Sequence, residues 1–200
     1  MFYHLDGSIL DLDSLSKDLS LNDIPYIGVL SKDEIESWNT HLDISNRIIE
    51  EFLNGTESQF ESHDGFDYIS LDIPDKDDLL NKESRISVYF RTNLLLFICE
   101  AVQDYSLLHQ IITKIELKEI KNLTLERVLF EFFDLLTVGD SLYLENLEQD
   151  ITELEESLFN SEKKDYIKEI ISLRKKLLIL KRYYEQLFDL AEAMEENENE

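Results

Sequence analysis

Cysteine is almost missing: Cys99 is the single one among 200 residues, so no disulfide can close within the chain. Set in the apolar run LLLFICEAV, this thiol reads as a small buried hydrophobe and the compartment as a reducing one. With 5 glycines and 2 prolines the chain has no Gly/Ser-rich linker, and no internal repeat divides it. Basic residues are scarce, 19 against 44 acids, and the formal charge of −25 argues against a phosphate-backbone partner, which Lys and Arg would have to neutralise. Such a balance favours cations. Long apolar runs are also lacking. No stretch approaches the ~20 residues a membrane span needs, and MFYHLDGSIL has no basic start of a signal peptide. As written, the chain is expected neither to cross a membrane nor to be exported.

What is present suits a folded domain, or one domain with an appendage, since 43% of the residues are apolar and can fill a core. Up to about residue 115, short β-branched and aromatic runs alternate with brief amphipathic segments. FYHL, SILDL, PYIGVL, DYISLDI, RISVYF and LLLFICEA read as strands, the last two joined by a tight hairpin at Arg91, Thr92 and Asn93. SKDEIESWNTHL opens with a capping-box pattern, Ser31 to Glu34, and ISNRIIEEFLNG ends in Asn-Gly, a helix stop. Helices therefore flank a sheet. Phe130, Phe132 and Phe133 fall near Leu129 and Leu136 and are expected to pack a helix against it.

Beyond residue 115 the strand signal stops, and only Gly139 interrupts the helical runs. One helix is expected from about Thr124 to Phe159, with Leu144, Leu147, Ile151, Leu154 and Leu158 as its apolar seam. A second is expected from about Lys164 to the end, with Ile170, Leu173, Leu177, Leu180, Tyr184, Leu187, Ala191 and Met194 in the same rhythm. The polar link NSEKKD makes an antiparallel hairpin the simplest arrangement. Residues 1–115 are thus read as a sheet domain and 116–200 as a helical hairpin.

Enzyme motifs are missing. The 4 histidines sit on separate elements without HExxH spacing, and no GxGxxG, GxxxxGK[ST] or GxSxG is found. The chain is not read as an enzyme. Hard divalent cations prefer carboxylate oxygens, and three acidic groups qualify by type: Glu50 with Glu51, Asp134 with Asp140, and the acids of DIPDKDD. A solvated face is the plainer reading of each.

In this order, IIEEFLN, DYISLDIP, RISVYFRTNLLLFICEA, and FFDLLTVGDSLYLENLEQDITELEESLF followed by LRKKLLILKRYYEQLFDLAE resemble the cytoplasmic part of CorA-family divalent-cation transporters. The resemblance covers essentially the whole chain. It implies an α/β/α sandwich of a mostly parallel, mixed β-sheet, followed by a long antiparallel helical hairpin. It also implies a continuation into a stalk helix, two membrane spans and a Gly-Met-Asn loop, none of which lies within residues 1–200. The acidic end after Met194 is then where the stalk helix would begin.

By the same resemblance, the function is uptake of Mg2+, with Co2+ or Ni2+ as further candidates, by a homopentamer whose cytoplasmic part senses intracellular Mg2+. The sensing acids of the family fall on Glu50, Glu51 and Asp134. The sequence departs from the family at three points. Glu51 replaces an Asp, Val138 stands where a second Asp is expected one turn after Asp134, and the completing stalk acid would lie beyond Glu200. Weak Mg2+ binding is the expectation. Two rival readings share the sequence: a soluble coiled-coil interaction module, and the same domain of a zinc-transporting relative.

Overall fold

The computed structural model describes residues 1–5, 8–9, 25–42, 44–56, 58–81, 83–100, 104–159 and 166–196. Strand β1 spans Phe2–His4, β2 Tyr26–Ser31, β3 Gln59–His63, β4 Phe66–Pro74, β5 Glu83–Arg91 and β6 Leu94–Cys99. Helices are α1 (Ile35–Leu42), α2 (Asn46–Asn54), α3 (Asp104–Glu116), α4 (Leu125–Thr137), α5 (Asp140–Phe159) and α6 (Tyr166–Glu195). The strands form one sheet in the order β1-β2-β6-β5-β4-β3. Among the described residues only the β2/β6 pair is parallel, so the sheet is mixed but mostly antiparallel rather than mostly parallel as expected, because β3 to β6 follow one another through short connections that reverse the chain.

Near-continuous apolar strands are what a sheet covered on both faces needs, because alternate side chains point to opposite layers. On one face Ile27, Val29, Ile69, Leu71, Ile86, Val88, Leu95, Phe97 and Cys99 pack against α3 and α4. On the other, Tyr26, Leu30, Tyr68, Tyr89, Leu94, Leu96 and Ile98 pack against α1 and α2. The result is the expected α/β/α sandwich. Cys99 is 1% exposed within the first layer, as its apolar run suggested.

The helix termini carry the signals that place them. The Ser31 N–H and hydroxyl both donate to the Glu34 carboxylate, at 2.8 and 2.9 Å, just ahead of α1. The N–H bond is the main reason this carboxyl lies below its ordinary range. Ser45 and Thr124 cap α2 and α4 by accepting from the N–H groups of Ile48 and Arg127. The two-residue turn between Arg91 and Leu94 forms as expected.

The second half departs from the expected single helix between Thr124 and Phe159. It breaks into α4 and α5 at Gly139, whose φ of +81° ends the helical run. Helix α4, although beyond residue 115, lies in the sheet's own core through Leu125, Val128, Phe132 and Leu136, and Leu190 near the end of α6 joins them. Helices α5 and α6 run antiparallel: the Tyr166 hydroxyl donates to the Ser157 carbonyl at 3.2 Å near one end, and Leu147 meets Leu180 and Leu79 at the other. The link at residues 160–165 lies outside the described residues, as does most of SILDL.

The expected seams are only partly buried. Leu147 and Leu180 are covered, whereas Leu144, Leu158, Ile170 and Leu177 are each at least 40% exposed. Two helices alone cannot enclose a stripe this wide. Among the phenylalanines, Phe132 is buried, Phe133 packs at the edge of the core, and Phe130 points outward with the Arg127 guanidinium 4.5 Å above its ring. Strand β3 was not legible, since Phe60 is its only strongly β-forming residue.

Past Ser70 strand β4 runs beyond its β3 partner, and a side chain takes over the ladder. The Gln186 amide donates to the Asp72 carbonyl at 2.8 Å and accepts from the Asp72 N–H at 2.9 Å, tying α6 to the sheet. Gln186→Leu leaves both backbone groups unsatisfied, and urea unfolding is expected to show a loss of about 2 kcal/mol.

Candidate functional site

Helix α2 sets Glu50 and Glu51 by burying the opposite side of its turn. Ile48, Ile49 and Phe52 face the sheet, with the Phe52 and Tyr68 rings 5.3 Å apart. Glu50 consequently points outward and Glu51 lies half-buried at the helix edge. Burial pushes the Tyr68 hydroxyl up from its ordinary value, and the Glu51 charge adds to that shift. Gly55, at φ −59°, is not left-handed; it is needed for space, because a Cβ there would stand 2.6 Å from the Glu51 carbonyl oxygen and 3.0 Å from its Oε2.

A single cation fixes the end of this helix. Arg85 of β5 donates to both carboxylate oxygens of Asp72 at 2.8 Å, to the Thr56 carbonyl at 2.9 Å, and to the Gly55 carbonyl. The Asp72 bond is the chief cause that holds the guanidinium above its ordinary range. Beside it lies a cleft of about 330 Å3 whose acids are Asp72, Glu83 and Glu100. Asp72 is thus an ion-pair partner rather than part of a solvated acidic face. The same holds for Asp140, which is 8% exposed and paired with Lys76.

Asp134 lies on the exposed side of α4, whose buried stripe is Leu125, Val128, Leu129, Phe132 and Leu136. Val138, where the resemblance implies a second acid, is 61% exposed beside the Gly139 break. Helices α2 and α4 cover opposite faces of the sheet, so one chain does not bring Glu50 and Glu51 together with Asp134. Among the described residues no three His, Cys, Asp or Glu side chains gather as a metal-holding group.

The family model described as CorA-like Mg2+ transporter protein matches residues 28–200. The chain belongs to this family. Three solved structures share the fold of this CorA-family chain. The complete CorA magnesium transporter from Methanocaldococcus jannaschii superposes with a TM-score of 0.72 at 19% identity, over 92% of this chain and 59% of that one. The full-length CmaX protein gives 0.76 at 12% identity, over 98% of this chain and 62% of that one. The ZntB cytoplasmic domain from Vibrio parahaemolyticus gives 0.64 at 14% identity, over 86% and 71%. None of the curated proteins matches in sequence. The chain spans about three-fifths of the two full-length structures. Among the described residues of the CorA-family chain, no helix is long and apolar enough to cross a membrane.

Proposed function

We propose that the chain is the cytoplasmic regulatory domain of a CorA-like magnesium and cobalt transporter, with a sheet unit that extends past residue 115 to take in α4, and with α5 and α6 as the hairpin leading to a stalk. It senses intracellular divalent cations and gates a homopentameric channel; it is not an enzyme. Family membership together with the placement of Glu50 and Glu51 on one outer layer and Asp134 on the other carries this reading.

Acids on opposite layers share an ion only when α2 of one copy faces α4 of the next, a head-to-tail contact that closes into a ring. A chain of net charge −25 repels its copies until cations screen it. Mg2+ bound only at the closed contact then stabilises that state in proportion to occupancy.

In a MgCl2 titration against NaCl of equal ionic strength, the melting temperature is expected to rise saturably. At ten times Kd the gain is about 1.4 kcal/mol, or roughly 3–6 °C for a chain of this length. Glu50→Ala with Glu51→Ala should remove the rise, as should Asp134→Ala; a rise that survives in both excludes these residues. The likeness to the ZntB domain favours zinc as the rival cargo, which a parallel Zn2+ titration of a reconstituted transporter containing the membrane segments would separate. The exposed aliphatic face of α6, with Ile167, Ile170, Leu177 and Leu178, also suits a coiled-coil interaction module. That reading requires a stable dimer in sedimentation without divalent cations.

A further inference from the structure

The end of a helix leaves carbonyl oxygens without intrahelical donors, and at the α4/α5 joint these oxygens converge. Gly139 turns the chain so that the Leu136 and Val138 carbonyls and the Asp140 carboxylate surround the Lys76 ammonium. The two carbonyl contacts are 3.3 Å each, and Asp140 is paired directly. Both the C-terminal dipole of α4 and the carboxylate favour positive charge there.

The surroundings contribute more oxygen. Asp140 Oδ2 and the Tyr184 hydroxyl are both buried next to each other, with no other hydrogen-bond partner. Burial, with the adjoining Asp140 carboxylate, pushes the Tyr184 hydroxyl up to about 12. The Tyr183 hydroxyl donates to the Leu136 carbonyl at 3.2 Å and so fixes one of the converging oxygens. Leu79, Leu147, Leu180 and Tyr143 close the apolar side of the joint. Hard oxygen donors with one formal negative charge match a monovalent cation, because carbonyl and carboxylate oxygens replace its hydration shell.

We propose that the α4/α5 joint is a monovalent-cation site whose resident cation is the ammonium of Lys76, and that K+ or NH4+ takes the position when this ammonium is removed. The Lys76 side chain is 29% exposed, so the site opens to solvent on the side from which the lysine enters. Filled by its own tethered charge, the joint holds the hairpin against the sandwich whatever the ionic conditions. This is separate from divalent sensing at Glu50, Glu51 and Asp134.

Lys76→Met tests it, with melting followed in tetramethylammonium, potassium and ammonium chloride at equal concentration. The wild type should melt within about 1 °C in all three, whereas Lys76→Met should fall by about 5 °C or more in tetramethylammonium. At least half of that loss should return in potassium or ammonium, and Asp140→Asn in the Lys76→Met background should erase the difference between salts. A variant that folds only with a small cation supports the site. Equal melting of Lys76→Met in all three salts, or its failure to fold in potassium and ammonium as well as in tetramethylammonium, overturns it.

Discussion

Replacing Phe132 with alanine is expected to lower the unfolding free energy by about 3–5 kcal/mol, which moves the melting temperature down by roughly 10 °C. The ring is 0% exposed and lies where α4 meets the sheet, 5.1 Å from the Phe97 ring and 5.4 Å from Phe133. Its loss removes apolar burial and leaves a cavity that the sheet, held by ladders on both sides, cannot collapse into. Phe132→Leu keeps most of the volume and should cost about 1–2 kcal/mol. Phe130→Ala two residues earlier is the contrast: that ring is 54% exposed, beneath the Arg127 guanidinium at the rim of a cleft, so its removal should cost under about 1 kcal/mol. Urea unfolding of the three variants checks the ranking. A large loss for Phe130→Ala would mean that a partner covers this face in solution.

These phenylalanines mark how far the sequence could be read. Periodicity placed all of them near the sheet, but a cluster of aromatics on one helix cannot all face the same layer. Rotation about the helix axis decides which one is buried, and this depends on packing that no local pattern records. Strands whose two faces are both covered were legible because Tyr26–Ser31 and Leu94–Cys99 are continuous apolar runs. Edge strand β3 was not, because a strand paired on one side needs few apolar residues. At Gly139 the competing principles were helix propensity on both flanks and one left-handed residue between them. The left-handed residue won because Lys76 and Tyr183 satisfy the carbonyls that the break exposes.

For the site, the sequence yielded residue types and the family resemblance, and the fold supplied the geometry. Glu50, Glu51 and Asp134 are surface carboxylates, and nothing in local spacing says that α2 and α4 lie on opposite layers. Asp72 and Asp140 looked like members of acidic runs, yet each is held by a cation far along the chain, Arg85 and Lys76 respectively. One signal was available. Between Glu83 and Arg91 at its two ends, Arg85 is the one charged residue of β5, and a cation within a central strand needs an acid beside it. Cross-strand register then points to Asp72 directly opposite.

That register sets the size of the last expected effect. Arg85→Ala should destabilise by about 3 kcal/mol, because it leaves the Asp72 carboxylate and the Gly55 and Thr56 carbonyls without their donor. The Arg85 side chain is only 12% exposed, whereas Asp72 is 35% exposed and recovers some hydration, which keeps the loss below that of a fully buried pair. Arg85→Lys retains the charge without the planar fork that reaches Asp72 and two carbonyls at once, so it should recover less than half of the loss. The proposed Mg2+ sensing should suffer beyond stability. The same guanidinium pins the residues that follow α2, and the Gly55 N–H in turn donates to the Glu51 carbonyl at 2.9 Å. Hydrogen exchange should therefore quicken over residues 46–56 in Arg85→Ala while α4 keeps its protection. The Mg2+-dependent rise in melting temperature should shrink with it, even at temperatures where the variant is fully folded. Unchanged exchange in α2 with an intact Mg2+ response would reduce Arg85 to a sheet ion pair and free Glu51 from any dependence on it.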